Sequence, residues 1–129
     1  MKFNPAIIQI NITDLEIAKS FYGETLGFEI DHEKSLDGVC LLKSDGDIPI
    51  LLYPVPQKSN SQYGENAGPV LVIEVADIFK VYKDWKKKDV QFIPVPWSED
   101  ETGIGGCPFG LFIAFKDPDG NVHEILQPH

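Results

Sequence analysis

Ile8-Gln9-Ile10-Asn11-Ile12-Thr13-Asp14-Leu15 and, about half a chain later, Leu71-Val72-Ile73-Glu74-Val75-Ala76-Asp77-Ile78 are the stretches that decide the fold. In the first, isoleucine alternates with a polar residue, the period of a half-buried strand, and an aspartate follows that can cap a helix. The second repeats the same grammar. A further pair of stretches matches independently: Asp45-Gly46-Asp47-Ile48 through Leu52-Tyr53-Pro54 aligns with Asp119-Gly120-Asn121-Val122 through Leu126-Gln127-Pro128. Two amphipathic segments can resemble each other by chance. A shared Asp-Gly turn and a shared closing proline make this an internal repeat.

Working outward from the first stretch, Leu15, Ala18, Phe21, Tyr22 and Leu26 recur at helical spacing, with Gly27 as the stop. Strands are expected over 28–33, 39–43 and 48–53. The segment 54–69, rich in Gly, Pro, Ser and Asn, reads as a linker or long surface loop. Beyond it, 70–75 reads as a strand, and Ile78, Val81, Tyr82 and Trp85 as one helical stripe. Lys86-Lys87-Lys88 falls where the helix dipole favours cations, a solvated helix end. Strands follow over 90–95, 111–116 and 122–126, with 97–109 as a glycine-containing loop. The chain is therefore an α+β protein of two βαβββ modules, 5–54 and 70–128, joined by a linker over 55–69. Neither half is large enough to be comfortable alone, so the two should share a core.

Composition narrows the function. The 129 residues carry 20 acidic and 11 basic side chains, a formal charge of −9, and every basic residue is lysine. Nucleic-acid affinity rests on phosphate contacts from basic patches, so a nucleic-acid partner is excluded. The lack of arginine also removes the planar fork that grips carboxylates and phosphates, leaving neutral or cationic ligands. No run approaches the ~20 apolar residues of a membrane span, and Met1-Lys2-Phe3-Asn4-Pro5 lacks the apolar stretch of a signal peptide. Cys40 and Cys107 are too few for a disulfide scaffold. A cytoplasmic protein with two reduced thiols is the expectation, against a redox pair or a reactive thiol.

The chain resembles the vicinal oxygen chelate superfamily, which includes glyoxalase I, bleomycin- and fosfomycin-resistance proteins and extradiol dioxygenases. The resemblance rests on Thr13-Asp14-Leu15, on Phe21-Tyr22 with Leu26-Gly27-Phe28, and on Asp117-Pro118-Asp119-Gly120-Asn121-Val122-His123-Glu124. It implies two βαβββ modules whose mixed sheets curve into a half-open cup with the helices outside. It also implies a homodimer with sites near the module interface. With period-two alternation, Ile8, Ile10 and Ile12 should pack beneath the helix, and Ile7, Gln9 and Asn11 should face the cup. By the repeat, Val70, Val72 and Glu74 should face it too, as should Ile48, Ile50 and Leu52, and Val122, Glu124 and Leu126.

Metal-using relatives place ligands on the first and last strand of each module, here Ile7, Ile50, Val70 and Glu124. Only Glu124 has a lone pair to offer, so no metal and no cofactor are expected. His123 neighbours Glu124 on a strand and should point the other way. His129 is the last residue, and His32 lies in the polar run Asp31-His32-Glu33-Lys34. Glu124 keeps two readings: an inherited strand residue, hydrogen-bonded or solvated, or a buried carboxylate anchoring a cation or acting as a general base. It is the sole catalytic candidate.

Aromatic residues supply the remaining pocket signal. Trp97, Phe109 and Phe112 flank the glycine-containing loop, and Tyr53 and Tyr63 flank the linker. Phe21, Tyr22 and Trp85 are assigned instead to the helix–sheet core. The expected ligand-binding set is Gln9, Asn11, Ile50, Leu52 and Glu74, together with Trp97, Phe109, Phe112 and Glu124. The leading expectation is a metal-independent binding protein of the bleomycin-resistance type, sequestering a neutral or cationic small molecule. The alternatives are a metal-dependent enzyme of the glyoxalase, lyase or dioxygenase type and an accessory domain without a ligand.

Overall fold

A computed structural model of the chain describes residues 2–35, 38–46, 48–58, 63, 64 and 70–129. The chain divides into two compact units, Met1–Ser59 and Asn60–His129. The expected linker over 55–69 lies largely outside the described residues, as does the Asp47 position of the expected first Asp-Gly turn.

In the first unit, β1 (Ile8–Ile12) leads into α1 (Leu15–Lys19), and β2 (Glu29–Ile30), β3 (Cys40–Lys43) and β4 (Ile50–Pro54) complete the sheet. Asp14 caps α1, accepting from the Ile17 amide at 3.0 Å. Beyond Lys19 the helix widens to a π-type segment, Ser20–Thr25, in which the Leu26 amide donates to the Phe21 carbonyl. Tyr22 is carried from this segment wholly into the core. The sheet order is β1-β4-β3-β2, with β1 and β4 parallel.

The second unit repeats the plan: β5 (Leu71–Glu74), α2 (Ile78–Lys87), β6 (Gln91–Ile93), β7 (Gly105–Cys107), β8 (Gly110–Lys116) and β9 (Val122–Pro128). Its order is β5-β9-β8-β6, again with first and last strands parallel and adjacent. Asp77 caps α2 by accepting from the Lys80 amide, and the Gln127 side chain accepts from the Ile78 amide. One end of α2 is thereby tied to β9. Where the sequence suggests only a loop, β7 pairs with β8 as an additional short strand.

Register assigns the faces. Across the second sheet, Leu71, His123, Phe115 and Phe92 form one row, which packs on α2 through Trp85–Phe115 at 5.2 Å and Tyr82–Phe92 at 4.6 Å. The next row, Val72, Glu124, Ala114 and Ile93, lies on the opposite face. His123 is therefore buried beside Phe115, while Glu124 points away from the helix.

In the first sheet Gln9 and Asn11 are exposed, whereas Ile10 and Ile12 are buried, as the alternation requires. Ile50 and Leu52 depart from expectation. They pair with Ile8 and Ile10 and lie in the core at 3% and 0% exposure, so Leu51 and Tyr53 share the Gln9 and Asn11 face. The cause is one extra residue after the turn: three residues separate Gly46 from Ile50, and two separate Gly120 from His123. A one-residue slip reverses every side chain in a strand.

Candidate functional site

Glu124 and Ile93 of the Val72–Glu124–Ala114–Ile93 row give the site its floor. Ala114, between them in the row, is buried and does not itself line the space. The rim comes from the chain following β6. Pro94 and Pro96 cannot donate to a sheet ladder, so the strand ends there and the backbone rises around Val95 and Trp97. That turn is fixed from both sides. The Val95 amide donates to the Gly103 carbonyl at 2.8 Å, and the Trp97 indole Nε1 donates to the Gly106 carbonyl at 2.9 Å. Gly105 is needed at this crossing, because a Cβ there would sit 2.5 Å from Val95 Cγ1.

The result is a cavity of about 390 Å³, within the ~300–1,000 Å³ range of small-molecule sites. Val70, Ile93, Pro94, Val95 and Pro96 supply its aliphatic walls. Trp97 and Phe112, with ring centroids 6.0 Å apart and tilted by 52°, supply an aromatic one. Such tilted rings form a single wall rather than a clamp, and Trp97 remains 62% exposed with much of its surface open to a ligand.

Tyr63 and Glu124 bring polarity into this apolar space. The Tyr63 hydroxyl donates to Glu124 Oε2 at 2.6 Å, a short charge-assisted contact. Burial, then the hydrogen bond to Glu124 and that group's negative charge, push the Tyr63 phenol above its usual range. Tyr63 therefore keeps its proton at any ordinary pH and acts as a fixed donor. Among the described residues lining the cavity there is no lysine, so its only formal charge is the Glu124 carboxylate.

Of the residues expected to bind a ligand, Trp97, Phe112 and Glu124 meet in this cavity. Glu74 shares the Glu124 face but pairs with Leu126, two positions along the strand, and does not line the space. Phe109, at the tip of the β7–β8 hairpin, is 74% exposed and also lies outside it. Gln9 and Asn11 belong to the first unit, where Gln9 Nε2 donates to Asn11 Oδ1 at 2.9 Å. Ile50 and Leu52 are core residues of that unit. The expected set omits Tyr63 and the Ile93–Pro96 segment. Tyr63 is named among the aromatics that flank the linker but not carried into that set, and the signal of the segment lies in Pro94-Val95-Pro96-Trp97, a proline pair that lifts a tryptophan off the end of a strand.

A divalent metal does not fit the residues that the resemblance assigns to it. Leu51 occupies the register position in the first unit that Glu124 holds in the second, and like Ile7 and Val70 it is a hydrocarbon. Among the described residues, no group of three or more His, Cys, Asp or Glu side chains could hold a metal. Both cysteines are free, and burial pushes the Cys40 thiol upward, with Ser35 opposing through a hydrogen bond. Among the described residues no helix is long and apolar enough to cross a membrane.

Comparison with known proteins gives the lineage. The uncharacterized protein YetH of Bacillus subtilis is 29% identical over 124 residues, covering 93% of this chain and 94% of its own. Among solved structures, TnmS3, an antibiotic binding protein from Streptomyces sp. CB03234, superimposes with a TM-score of 0.71 at 21% identity, covering 99% of this chain and 98% of its own. The fosfomycin resistance protein FosX from Listeria monocytogenes superimposes with a TM-score of 0.75 at 14% identity, covering 100% and 96%. These two likenesses establish the fold. The model of the Glyoxalase/Bleomycin resistance protein/Dioxygenase superfamily matches residues 5–125, nearly the whole chain, and the protein belongs to that superfamily.

Proposed function

We propose that this protein binds a neutral or cationic small molecule without a metal, in the manner of the superfamily's antibiotic-binding members. The observation that carries the reading is the cavity itself: apolar walls, one aromatic face, and a single carboxylate held by a tyrosine. Binding of this kind needs shape and a few oriented polar groups, and no reacting centre. The antibiotic-binding fold neighbour supports the class of activity and leaves the compound open. The same reading takes the protein to work in the cytoplasm as a homodimer. A solution mass of one 14.4 kDa chain by light scattering would remove the dimer.

Trp97 provides the assay. It is exposed in the cavity while Trp85 is buried, so quenching of the exposed indole reports on occupancy. Titration with neutral and cationic bicyclic aromatics, in the presence of a chelator, is expected to give saturable quenching with matching heat. Trp97→Ala should abolish the optical signal and weaken the heat. A lack of saturation across the set, or binding that appears only after zinc, nickel, manganese or iron is added, would overturn the proposal.

A further inference from the structure

Glu124 holds the position from which relatives bind a metal, yet here it has lost its co-ligands and gained a tyrosine. A carboxylate in an apolar cavity must find partners for its oxygens or bear the cost of lost hydration. Tyr63 satisfies Oε2. Among the described residues, the remaining oxygen accepts no hydrogen bond, and no lysine lines the space to neutralise the charge. The arrangement is one oriented anion lining a volume sized for a ligand, with a fixed donor on one oxygen and the other oxygen open to solvent or to a ligand.

We infer that Glu124, oriented by Tyr63, is an anchor for a protonated amine, and that the ligand is an aromatic ammonium compound whose ring lies on Trp97. This deepens the proposed binding function and rests on it. The geometry separates two tasks. The exposed Trp97 ring, with Phe112 tilted beside it, offers a face on which an aromatic ring can lie, with added attraction for a nearby cation. Glu124 discriminates between ligands, because an ammonium supplies the missing countercharge together with N–H donors while an alcohol supplies a donor and no countercharge. An anionic ligand meets the Glu124 charge with nothing in the wall to offset it. Tyr63 is a positioning residue: it holds the carboxylate in one orientation.

The test uses three matched probes, 2-naphthylmethylamine, 2-naphthalenemethanol and 2-naphthoate, titrated calorimetrically into the full chain at neutral pH. The amine is expected to bind at least about tenfold more tightly than the alcohol, the scale of a charge-assisted hydrogen bond, and the carboxylate not to bind measurably. Glu124→Gln keeps the shape and removes the charge, so it should erase the amine's advantage by weakening the amine far more than the alcohol. Tyr63→Phe should reduce amine affinity several-fold more than alcohol affinity, a split that general loss of structure would not produce. Circular dichroism of both variants guards against misfolding. Equal binding of amine and alcohol, or an advantage that survives Glu124→Gln, overturns the anchor and leaves the binding function standing. Failure of all three probes to bind overturns both.

Discussion

His123 and Glu124 are chain neighbours with opposite fates, and the strand period alone separates them. Glu124 faces the cavity, whereas His123 lies under α2, against Phe115 and near Asp117. Burial lowers the pKa of His123 from its ordinary value, and the negative charge of Asp117 pulls the other way without winning. Because the folded-state pKa lies below the unfolded one, the unfolded chain takes up the proton first as pH falls. The stability linked to His123 is thus fully present above the unfolded value of about 6.5 and is lost as pH drops through the window beneath it. Thermal unfolding of the native chain should show a melting temperature that declines below that pH. His123→Phe, which cannot titrate, should flatten that part of the profile. A profile of the same slope in the variant would place the acid sensitivity elsewhere.

At the level of elements, caps and hairpins carry the local specification. Asp77→Ala removes the acceptor for the Lys80 amide at the start of α2 and should cost about 1 kcal/mol in chemical denaturation, with the denaturant slope unchanged. Gly110 is more demanding. It opens β8 with φ +148°, and a Cβ there would overlap the Gln127 carbonyl oxygen of the paired strand. Gly110→Ala should therefore destabilise by more than about 2 kcal/mol, because neither backbone can retreat without breaking the ladder. A loss under 1 kcal/mol would mean that the β8–β9 ladder yields at this point. These elements also mark what was legible in the sequence. Both caps, the order of strands and helices, and the repeat follow from residue spacing. The faces of the second sheet follow as well, because its Asp117–Asn121 turn keeps simple alternation in phase. The faces of β4 do not, since matching Asp-Gly with Asp-Gly overlooks the extra residue after Gly46, and Ile50 and Leu52 then change sides. Short β7 was hidden because Gly105 and Gly106 carry no side-chain pattern, and its pairing is visible only from β8.

Charge belongs to the molecule as a whole. Net charge is −9, yet Lys80, Lys83, Lys86, Lys87 and Lys88 gather five of the eleven lysines on and just beyond α2. Helix α2 covers the His123 face of the second sheet, so these cations stand on the side away from Glu124. The chain as a whole is negative, and no lysine among the described residues lining the cavity cancels the charge of Glu124. The resulting field should steer cations toward the site over distances comparable with the screening length, about 8 Å at physiological ionic strength. Stopped-flow quenching of Trp97 tests this directly. The association rate of 2-naphthylmethylamine should fall as sodium chloride is raised, while that of 2-naphthalenemethanol should stay constant. Part of the salt sensitivity should persist in Glu124→Gln, because the −9 background remains after the local charge is gone. If the salt sensitivity vanished completely in that variant, one carboxylate alone would account for the attraction, and the acidic surface would serve only solubility.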